Sequence, residues 1–435
     1  MMTRALHLSI GAALLALVAS TVGAETLAFH GGTIHPVSQP PIEDGVVLVE
    51  DGSITAVGSA ADVTLPSGAT VVDLDGRHLY PGFVSAISVT GLAEISSVRG
   101  TRDDREIGNN NAHLRAETAW HADSLRLEPA YSGGVLTTHT VQAGDLIFGT
   151  SAVMRMSGWN RRDMTVAAPV GMHMAFPNVA GGDDEDDAAG EARDQALEAL
   201  EEIFEETRAY AKAKAAGSPG LAVDPRLDAM IPVIEGELPL HIHTRPKAQL
   251  EAALDWVEEQ GLVESTVVVV GPDARYVTDR LAELDIPVVL AGVLEEPERN
   301  WEPYDTGYTT AKVLHEAGVR FAIANRGDDD ASWNERNLPF HAAMAAAFGL
   351  PKDIALRSVT LSAAEVLGVE DKLGSIDVGK EANLFVASGD PLEILTRIEQ
   401  VFIDGREIDL TAGHQYQLYE RYDNRPRPEG LDSVE

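Results

Sequence analysis

Apolar runs of strand length alternate with helix-length amphipathic stretches through the middle of the chain, between residues 134 and 367. This alternation is typical of a parallel α/β fold, in which a helix leads from each strand to the next. We predict helices at 248–260, 309–317 and 353–367, and strands at 134–140, 152–156, 164–169, 238–244, 266–270, 286–291 and 320–325. A barrel is the natural closure of such a chain, and it places a binding site at the carboxyl ends of the strands.

Short strand-like runs separated by turns occupy both ends of the chain. Near the start, the runs 45–50 and 53–57 flank Asp51-Gly52, a dipeptide that is typical of a tight β-hairpin turn. Near the end, residues 374–387 and 400–408 have the same character. The two ends are therefore predicted to be β-structure, in contrast to the α/β middle.

The first 24 residues have the pattern of a secretory signal. Arg4 supplies the positive start, residues 8–20 are apolar, and Val22-Gly23-Ala24 offers small residues for cleavage before Glu25. The alternative is a membrane anchor, for which the apolar run is short. We therefore expect a periplasmic or secreted protein with no stable membrane insertion after signal cleavage.

The chain is strongly acidic and contains no cysteine. Its formal net charge is −36, with 69 acidic against 33 basic residues, which disfavours binding to nucleic acid or to an anionic membrane. The absence of cysteine excludes disulfides, thiolate metal ligands and a cysteine nucleophile. The acidic segment 181–187 precedes a helix-like stretch at 188–216. It lacks the spacing of a calcium loop, so we predict an acidic surface loop.

His241-Ile242-His243 is the best candidate for a metal-binding motif. The two histidines lie two residues apart on a predicted strand, so their side chains face the same side of the sheet. If that side is the interior of a barrel, the two imidazoles could bind one divalent metal ion. The alternative is a pair of structural histidines that are hydrogen-bonded to their neighbours.

Other polar residues are candidates for substrate binding, namely Glu94, Arg115, His139 and Arg336. Arg115 lies in a polar segment at 104–117 of the kind that lines barrel sites, and its guanidinium could bind a carboxylate through two hydrogen bonds. Each candidate has a structural alternative. For Glu94 it is a surface carboxylate, for Arg115 and Arg336 an ion pair, and for His139 a buried, hydrogen-bonded position. His173 is equally ambiguous.

The segment 79–92, Leu-Tyr-Pro-Gly-Phe-Val-Ser-Ala-Ile-Ser-Val-Thr-Gly-Leu, resembles the first barrel strand of the amidohydrolase superfamily. In that family the run after Pro-Gly ends in Asp-Ala-His-x-His, and the two histidines bind a catalytic metal. In this chain Ile87 and Val89 stand at the histidine positions, and Ser85 stands at the aspartate position. The chain thus resembles a metallohydrolase whose first pair of metal ligands is replaced.

The resemblance covers most of the chain after the signal and is strongest at 305–406. Residues 374–387 and 400–408 resemble the C-terminal half of a small β-sandwich that the family builds from both chain ends, with Asn383 at a usual aspartate position. Pro303-Tyr304-Asp305 and Glu335-Arg336-Asn337-Leu338 resemble phrases of an imidazolonepropionase-related branch.

The resemblance implies an α/β fold with a (β/α)8 TIM-type barrel at 80–373. A composite β-sandwich would come from 25–79 and from 374–435, the latter including a C-terminal tail. His243 takes the position of the family's strand-five histidine ligand. The strand-six histidine is matched by Gly271, and the strand-eight aspartate falls near Asn325 or Arg326.

For function, the resemblance implies a periplasmic hydrolase of carbon–nitrogen bonds in small amides or dipeptides. It would use a reduced site with one zinc, iron or manganese ion at His243 and His241, or no metal. The alternative is a catalytically inactive member that binds a small molecule or a protein partner. A third interpretation is metal-free hydrolysis by carboxylates such as Glu94 and Asp328. We expect a small-molecule substrate or ligand as the partner and no nucleic acid. The sequence leaves the formation of a homo-oligomer undetermined.

Overall fold

The computed structural model describes residues 26–178 and 187–426. The expected signal peptide, nearly all of the acidic segment 181–187 and the end of the C-terminal tail lie outside the described residues. The strands are β1 (Thr26–Ile34), β2 (Ile42–Glu50), β3 (Ser53–Ser59), β4 (Thr70–Asp73), β5 (His78–Pro81), β6 (Phe83–Ser88), β7 (Val135–Thr140), β8 (Ile147–Thr150), β9 (Ala152–Arg155), β10 (Thr165–Ala167), β11 (Met172–Ala175), β12 (Leu240–His243), β13 (Thr266–Val270), β14 (Val288–Ala291), β15 (Phe321–Ala324), β16 (Leu384–Ala387), β17 (Ile398–Ile403) and β18 (Arg406–Ile408). The α-helices are α1 (Leu127–Ser132), α2 (Arg161–Met164), α3 (Asp187–Ala215), α4 (Pro225–Ile234), α5 (Lys247–Gln260), α6 (Thr278–Glu283), α7 (Thr306–Glu316), α8 (Asp329–Ser332), α9 (Leu338–Ala347), α10 (Lys352–Ser358), α11 (Leu361–Val366) and α12 (His414–Asp423).

Strands from both ends of the chain join one eight-stranded sheet. Its order is β18-β17-β16-β5-β1-β2-β3, with β4 paired to β1. β16 runs antiparallel to β5, and Leu384 lies opposite Pro81. The sheet therefore extends past the expected boundary at residue 79. The division of the chain into a barrel and a separate β-sandwich domain stays a prediction.

The Asp51-Gly52 turn joins β2 to β3 as predicted. The two strands pair antiparallel with Glu50 opposite Ser53. Asp51 and Gly52 both have positive φ, 49° and 78°. Two successive left-handed residues match the twist of the flanking strands, so this dipeptide determines the hairpin locally.

The middle of the chain forms two further sheets. One has the order β10-β9-β7-β6, and the other has the order β15-β14-β13-β12-β11-β8. β6 and β7 are parallel, as are the neighbouring strands from β11 to β15. At least one helix lies between the members of each of these parallel pairs, such as α5 between β12 and β13. The predicted α/β class is confirmed.

β8 and β9 interrupt the parallel pattern. They run antiparallel to β11 and β7 respectively, and Ser151 alone separates them in the sequence. The connection between β7 and β9, residues 141–151, contains no helix and is too short for the crossover that parallel neighbours require, so β9 pairs antiparallel with β7. Among the described residues no ladder joins β15 to β6, so the ladders do not close eight parallel strands into a ring.

The helices agree with the sequence predictions, except that one predicted helix is divided into two. α3, α5 and α7 cover the predicted stretches to within a few residues. The predicted helix at 353–367 is two helices, α10 and α11, because Thr360 has φ −131° and ψ −100°, outside the helical region. Within the described residues, no helix has the length and apolar character needed to cross a membrane.

Apolar side chains from both middle sheets pack against one another and against α11. We call this set the inner cluster, and its strand residues include Val84, Ala86, Ile87, Val153, Val267, Val269, Val289, Ala322 and Ala324. Ile87, which stands at the family's first histidine position, is 3% exposed within the inner cluster. The side chain at this position therefore packs in the core instead of facing a ligand.

Candidate active site

A cavity of about 330 Å³ opens at the carboxyl ends of β11 to β15. Its lining includes Ala175, His243, Val270 and Ala291 at the ends of four strands, and Arg326 shortly after the fifth. Parallel α/β folds carry their binding sites at this edge of the sheet. The cavity is therefore the candidate active site, on the side where the sequence predicts it.

An ion-pair network around Arg299 fixes one part of the cavity wall. The Arg299 guanidinium donates to the two oxygens of Asp273 at 2.8 and 2.6 Å and to Glu302 Oε1 at 2.7 Å. Asp273 Oδ2 also accepts the backbone N–H of Lys247 at 2.7 Å. The two carboxylates thus share one guanidinium within the protein, and these contacts anchor the loop after β14 to the start of α5.

A second ion pair lies in the same lining. Arg326 Nε is 3.1 Å from Glu295 Oε1 and 3.1 Å from Asp328 Oδ2. Burial raises the pKa of Glu295, and the positive charges of Arg326 and Arg245 oppose that shift. A carboxyl group with raised proton affinity beside a cavity has the property of a proton carrier.

Four histidines meet at and behind the wall of the cavity, and we call them the histidine cluster: His139 on β7, His173 on β11, and His241 and His243 on β12. His173 and His241 lie opposite each other on parallel strands and stack with ring centroids 4.5 Å apart. The His139 ring is 5.1 Å from His173 and 5.3 Å from His241. His173 Nδ1 and His243 Nε2 are hydrogen-bonded at 2.9 Å. The cluster therefore connects the cavity, through His243, to the buried interior.

Hydrogen bonds define the state of His139. Its Nδ1 lies 2.9 Å from the Ala86 carbonyl oxygen, which can only accept, so Nδ1 donates. Its Nε2 then accepts from the Ser151 hydroxyl at 2.7 Å. His139 is fully buried, so both of its nitrogens serve the internal structure.

Burial keeps the histidine cluster neutral at pH 7. It lowers the pKa of His139 to about 4 and the pKa of His243 to about 3. The pKa values of His173 and His241 are also well below the ordinary range, because of burial and then of the neighbouring histidines. His173 Nε2 and His241 Nδ1 are buried without a hydrogen-bond partner among the described residues.

The positions that carry metal ligands in the family are otherwise occupied here. Ile87 and Val89 are apolar and buried, at 3% and 4% exposure. Asn325, near the expected aspartate, uses its amide for the loop that follows β15. Its Nδ2 donates to the Ala331 carbonyl at 3.1 Å and to the Asn334 carbonyl at 3.3 Å.

The histidine cluster does not fit the metal centre that the resemblance implies. Its member nearest the cavity, His243, is joined to His173 by a direct nitrogen–nitrogen hydrogen bond, so a proton lies between these rings. In the part of the chain that the structure describes, no three or more His, Asp or Glu side chains are arranged to hold a metal ion. Metal binding by His241 and His243 stays a prediction.

None of the predicted substrate-binding residues lies in the lining of the cavity. Glu94 Oε2 accepts the Leu125 N–H at 3.3 Å. Arg115 pairs with Glu117, with Nε 2.7 Å from Oε1. Arg336 is exposed, and no ion pair joins it to another of the described residues. His139 lies in the histidine cluster, behind the cavity.

A buried carboxylate lies on the segment between α8 and α9. Glu335 is 1% exposed, and burial raises its pKa to about 7 against the opposing effect of the Ser85 and Ser88 hydroxyls. Ser85 is the residue at the family's aspartate position. The carboxyl group at Glu335 is therefore partly protonated near neutral pH.

Arg245 and Glu295 were missed by the sequence reasoning as cavity residues, and so was Arg299, whose carboxylate partners Asp273 and Glu302 line the cavity. Arg245 follows His243 by two residues, and Glu295 follows β14 by four. Charged residues directly after a predicted strand of a parallel fold are the signal that could have found both. Nothing in the local sequence marks Arg299, because its partner Asp273 belongs to a different loop.

Comparison with known proteins agrees with these observations. The model of the Amidohydrolase family matches residues 149–408. The imidazolonepropionase of Sphingopyxis alaskensis is 26% identical over 82% of this chain and 90% of that protein. A 5-methylthioadenosine/S-adenosylhomocysteine deaminase of Symbiobacterium thermophilum is 26% identical over 83% of this chain and 85% of its own length. Amidohydrolase tasK of Hapsidospora irregularis is 24% identical over 83% of this chain, but the match spans only 39% of that longer protein.

Among solved structures, an amidohydrolase from Thermotoga maritima superimposes with a TM-score of 0.77 at 27% identity, covering 88% of this chain and 99% of its own. Structural neighbours of this kind imply a TIM-barrel-like α/β fold. The relatives are hydrolases that act on carbon–nitrogen bonds, and members of the family typically use a divalent metal. The fold, the place of the cavity and the matched family model together show that this chain belongs to the Amidohydrolase family.

Proposed function

We propose that this protein hydrolyses a carbon–nitrogen bond in a small molecule that binds in the cavity at the carboxyl ends of β11 to β15. The observation that carries the proposal is the position of His243, which lines this cavity at the end of its strand. Family membership supplies the reaction class. The volume of about 330 Å³ suits a small molecule and not a polymer.

His243 is the residue that we place closest to the chemistry. Its Nε2 is engaged by His173 Nδ1, which leaves Nδ1 for a substrate or a water molecule in the cavity. Since burial lowers its pKa to about 3, the ring is neutral at pH 7 and can accept a hydrogen bond at Nδ1 when Nε2 carries the proton. His173 then acts as a positioning residue that selects this tautomer.

Glu295 is the second group with a place in the proposed reaction. Its raised pKa gives it a proton to donate more often than an ordinary carboxyl group, and it lines the same cavity. Proton donation to a leaving nitrogen is the step that C–N cleavage requires from a general acid. Arg326 holds the carboxylate form in place between such events.

The test is a turnover assay on the purified full-length chain. Small amides, ureas and cyclic imides serve as substrates, and released ammonia or amine is measured. We expect turnover that falls by about 100-fold in His243→Asn and is unchanged in His113→Asn, an exposed histidine outside the cavity. Equal activity in the two variants would show that His243 is not part of the reaction.

A second candidate function is supported by the apolar residues at the ligand positions. Ile87 and Val89 occupy the places of two metal ligands, and Ile87 packs in the inner cluster. A member that keeps the cavity without the metal centre could bind a small molecule and not cleave it. Saturable binding of a compound with no product over long incubation would favour this function over hydrolysis.

Barrel closure and export are part of the same proposal. A Cβ atom at Gly327, just after β15, would lie 2.8 Å from Ile87 Cγ1 on β6, so the two outermost parallel strands approach each other. We therefore propose that β15 and β6 close the barrel, with the sheet of the two chain ends as a separate domain.

The apolar start at residues 8–20 supports a periplasmic location, which fractionation of cells that express the full chain would test.

A further inference from the structure

Glu335 is a buried carboxylate whose charge is not balanced in the part of the chain that the structure describes. It is 1% exposed, and both of its carboxyl oxygens are buried without a well-formed hydrogen bond. The side chains that lower its pKa are the hydroxyls of Ser88 and Ser85, and no basic group is among them. A buried carboxylate is strongly destabilising unless a positive charge lies close to it. The surroundings of Glu335 therefore lack the charge that its ionised form needs.

Two serine hydroxyls on β6 lie near this carboxylate. Ser85 and Ser88 are fully buried. Ser88 Oγ is 2.9 Å from Thr90 Oγ1 and accepts the Thr90 N–H at 3.0 Å. Ser85 Oγ makes a long contact of 3.4 Å with the Ile87 carbonyl oxygen. Since a hydroxyl oxygen has two lone pairs, each serine keeps at least one for a further ligand.

Thr138 on β7 adds an independent observation. It is fully buried, and its Oγ1 is without a hydrogen-bond partner among the described residues. In the parallel ladder of β6 and β7, Thr138 lies opposite Ser85. Residues that lie opposite each other on neighbouring strands project to the same face of the sheet, so the two hydroxyls are neighbours. We call Glu335, Ser85, Ser88 and Thr138 the oxygen cluster.

The oxygen cluster lies outside both the cavity and the inner cluster. Val84 and Ala86 belong to the inner cluster, so Ser85 between them projects to the opposite face of β6. A register shift between Ser85 and Ser88 then interrupts the alternation, which lets both hydroxyls serve one site. The segment that carries Glu335 packs against α1, and no member of the oxygen cluster lines the cavity.

The chemistry of the oxygen cluster favours a monovalent cation. Its ligand atoms are all oxygens, which suit hard cations, and it contains no imidazole of the kind that binds zinc or iron. One carboxylate balances one positive charge, whereas a divalent ion would leave a net charge in a buried site. The cluster also differs from the metal centre that the resemblance implies, whose histidine positions carry Ile87 and Val89.

We propose that the oxygen cluster binds one alkali cation, sodium or potassium, as a structural ion between β6 and the segment that follows α8. The Glu335 carboxylate supplies the negative charge, and the hydroxyl oxygens of Ser85, Ser88 and Thr138 supply further ligands. The ion stabilises the folded chain because the unfolded chain does not assemble these oxygens. It takes no part in hydrolysis, so this inference does not depend on the proposed function.

The experiment measures thermal unfolding of the full-length protein in sodium, potassium and tetramethylammonium chloride at one ionic strength. Tetramethylammonium is a monovalent cation that is too large for a buried oxygen site. The pH is held at about 8.5, because burial raises the pKa of Glu335 to about 7 and a proton competes with the cation below that value. We expect a melting temperature at least about 2 °C higher in sodium or potassium chloride than in tetramethylammonium chloride. The better of the two alkali cations identifies the ion.

Three variants assign the effect to the oxygen cluster. Glu335→Gln removes the charge with little change of shape and should abolish the difference between the salts. Thr138→Val removes one ligand oxygen and should raise the half-saturating concentration of the cation about tenfold. Glu117→Gln is the matched control and should keep the full response, since Glu117 is also a buried carboxylate but has Arg115 as its partner.

The proposal is overturned if the native chain melts at the same temperature in all three salts, since Glu335 is then neutralised without an alkali cation. It is also overturned if Glu335→Gln keeps the difference between the salts, because the cations then act elsewhere. Thallium(I), which replaces alkali cations and scatters anomalously, locates the ion in crystals of the native chain. A peak between Glu335 and Ser85 would support the site, and peaks found only elsewhere would contradict it.

Discussion

Mild acid should destabilise this protein through the histidine cluster, and His139→Asn is the change that isolates the effect. His139 is fully buried, and its pKa in the folded state is about 4, against an ordinary value of 6.5. Asparagine can keep a donor toward the Ala86 carbonyl but cannot titrate. The comparison of the two proteins across pH therefore reports the protonation of this one position.

The direction of the pH effect on stability follows from the lowered pKa of His139. A histidine whose folded-state pKa is lowered contributes stability that is present above pH 6.5 and is lost as the pH falls toward about 4, because the unfolded chain takes up the proton first. One pH unit below the unfolded pKa, this loss is about 1 kcal/mol for one histidine. Glu335 acts in the opposite sense, since its pKa is raised to about 7 and its protonation favours the folded state as the pH falls.

The assay is urea-induced unfolding followed by tryptophan fluorescence, at about pH 7.5 and about pH 5.5. The stability advantage of the native chain over His139→Asn should shrink by about 1 kcal/mol between the two conditions. The contribution of Glu335 is the same in both proteins and cancels. His113→Asn, at an exposed position, should give no such change. An advantage that is equal at both pH values would refute a neutral, buried His139.

Other perturbations test the packing around the site. Arg126→Met should cost about 3–5 kcal/mol in urea unfolding, because its fully buried guanidinium pairs with Asp329 at 2.6 Å. Adding Asp329→Asn should cost little more, and fully additive losses would contradict a shared ion pair. Gly327→Ala should destabilise by about 1–3 kcal/mol, since the residue has φ 78° and the new methyl group would lie 2.8 Å from Ile87 Cγ1. His243→Asn should shift the melting temperature equally with and without a chelator, and a shift seen only with added zinc would instead support a metal at His243.

Ile87 and Val89 are apolar where the resemblance implies two histidines. Ile87 takes part in a continuous apolar packing with the neighbouring strands and α11. A histidine placed there would need a partner or would remain neutral in a buried apolar setting. The observed Ile87 therefore stabilises this apolar interior by burial.

Much of the fold was predictable from the sequence, because the signals are local. The strand–helix alternation reflects side chains that are a few residues apart, and the Asp51-Gly52 turn reflects the backbone preferences of two residues. The resemblance at 79–92 predicted the family that the family model later matched at 149–408. The predicted β13 at 266–270 has the bounds that the structure gives, since a run of β-branched residues between turns leaves little ambiguity.

Only the tertiary structure decided what the candidate site contains. The sequence could place His241 and His243 on one side of a strand, but their neighbours His139 and His173 come from distant strands that meet them only after folding. The ion pairs of the site also depend on the tertiary structure. Arg299 finds Asp273 across two loops, a contact that depends on three-dimensional distance and cannot be read from the order of residues.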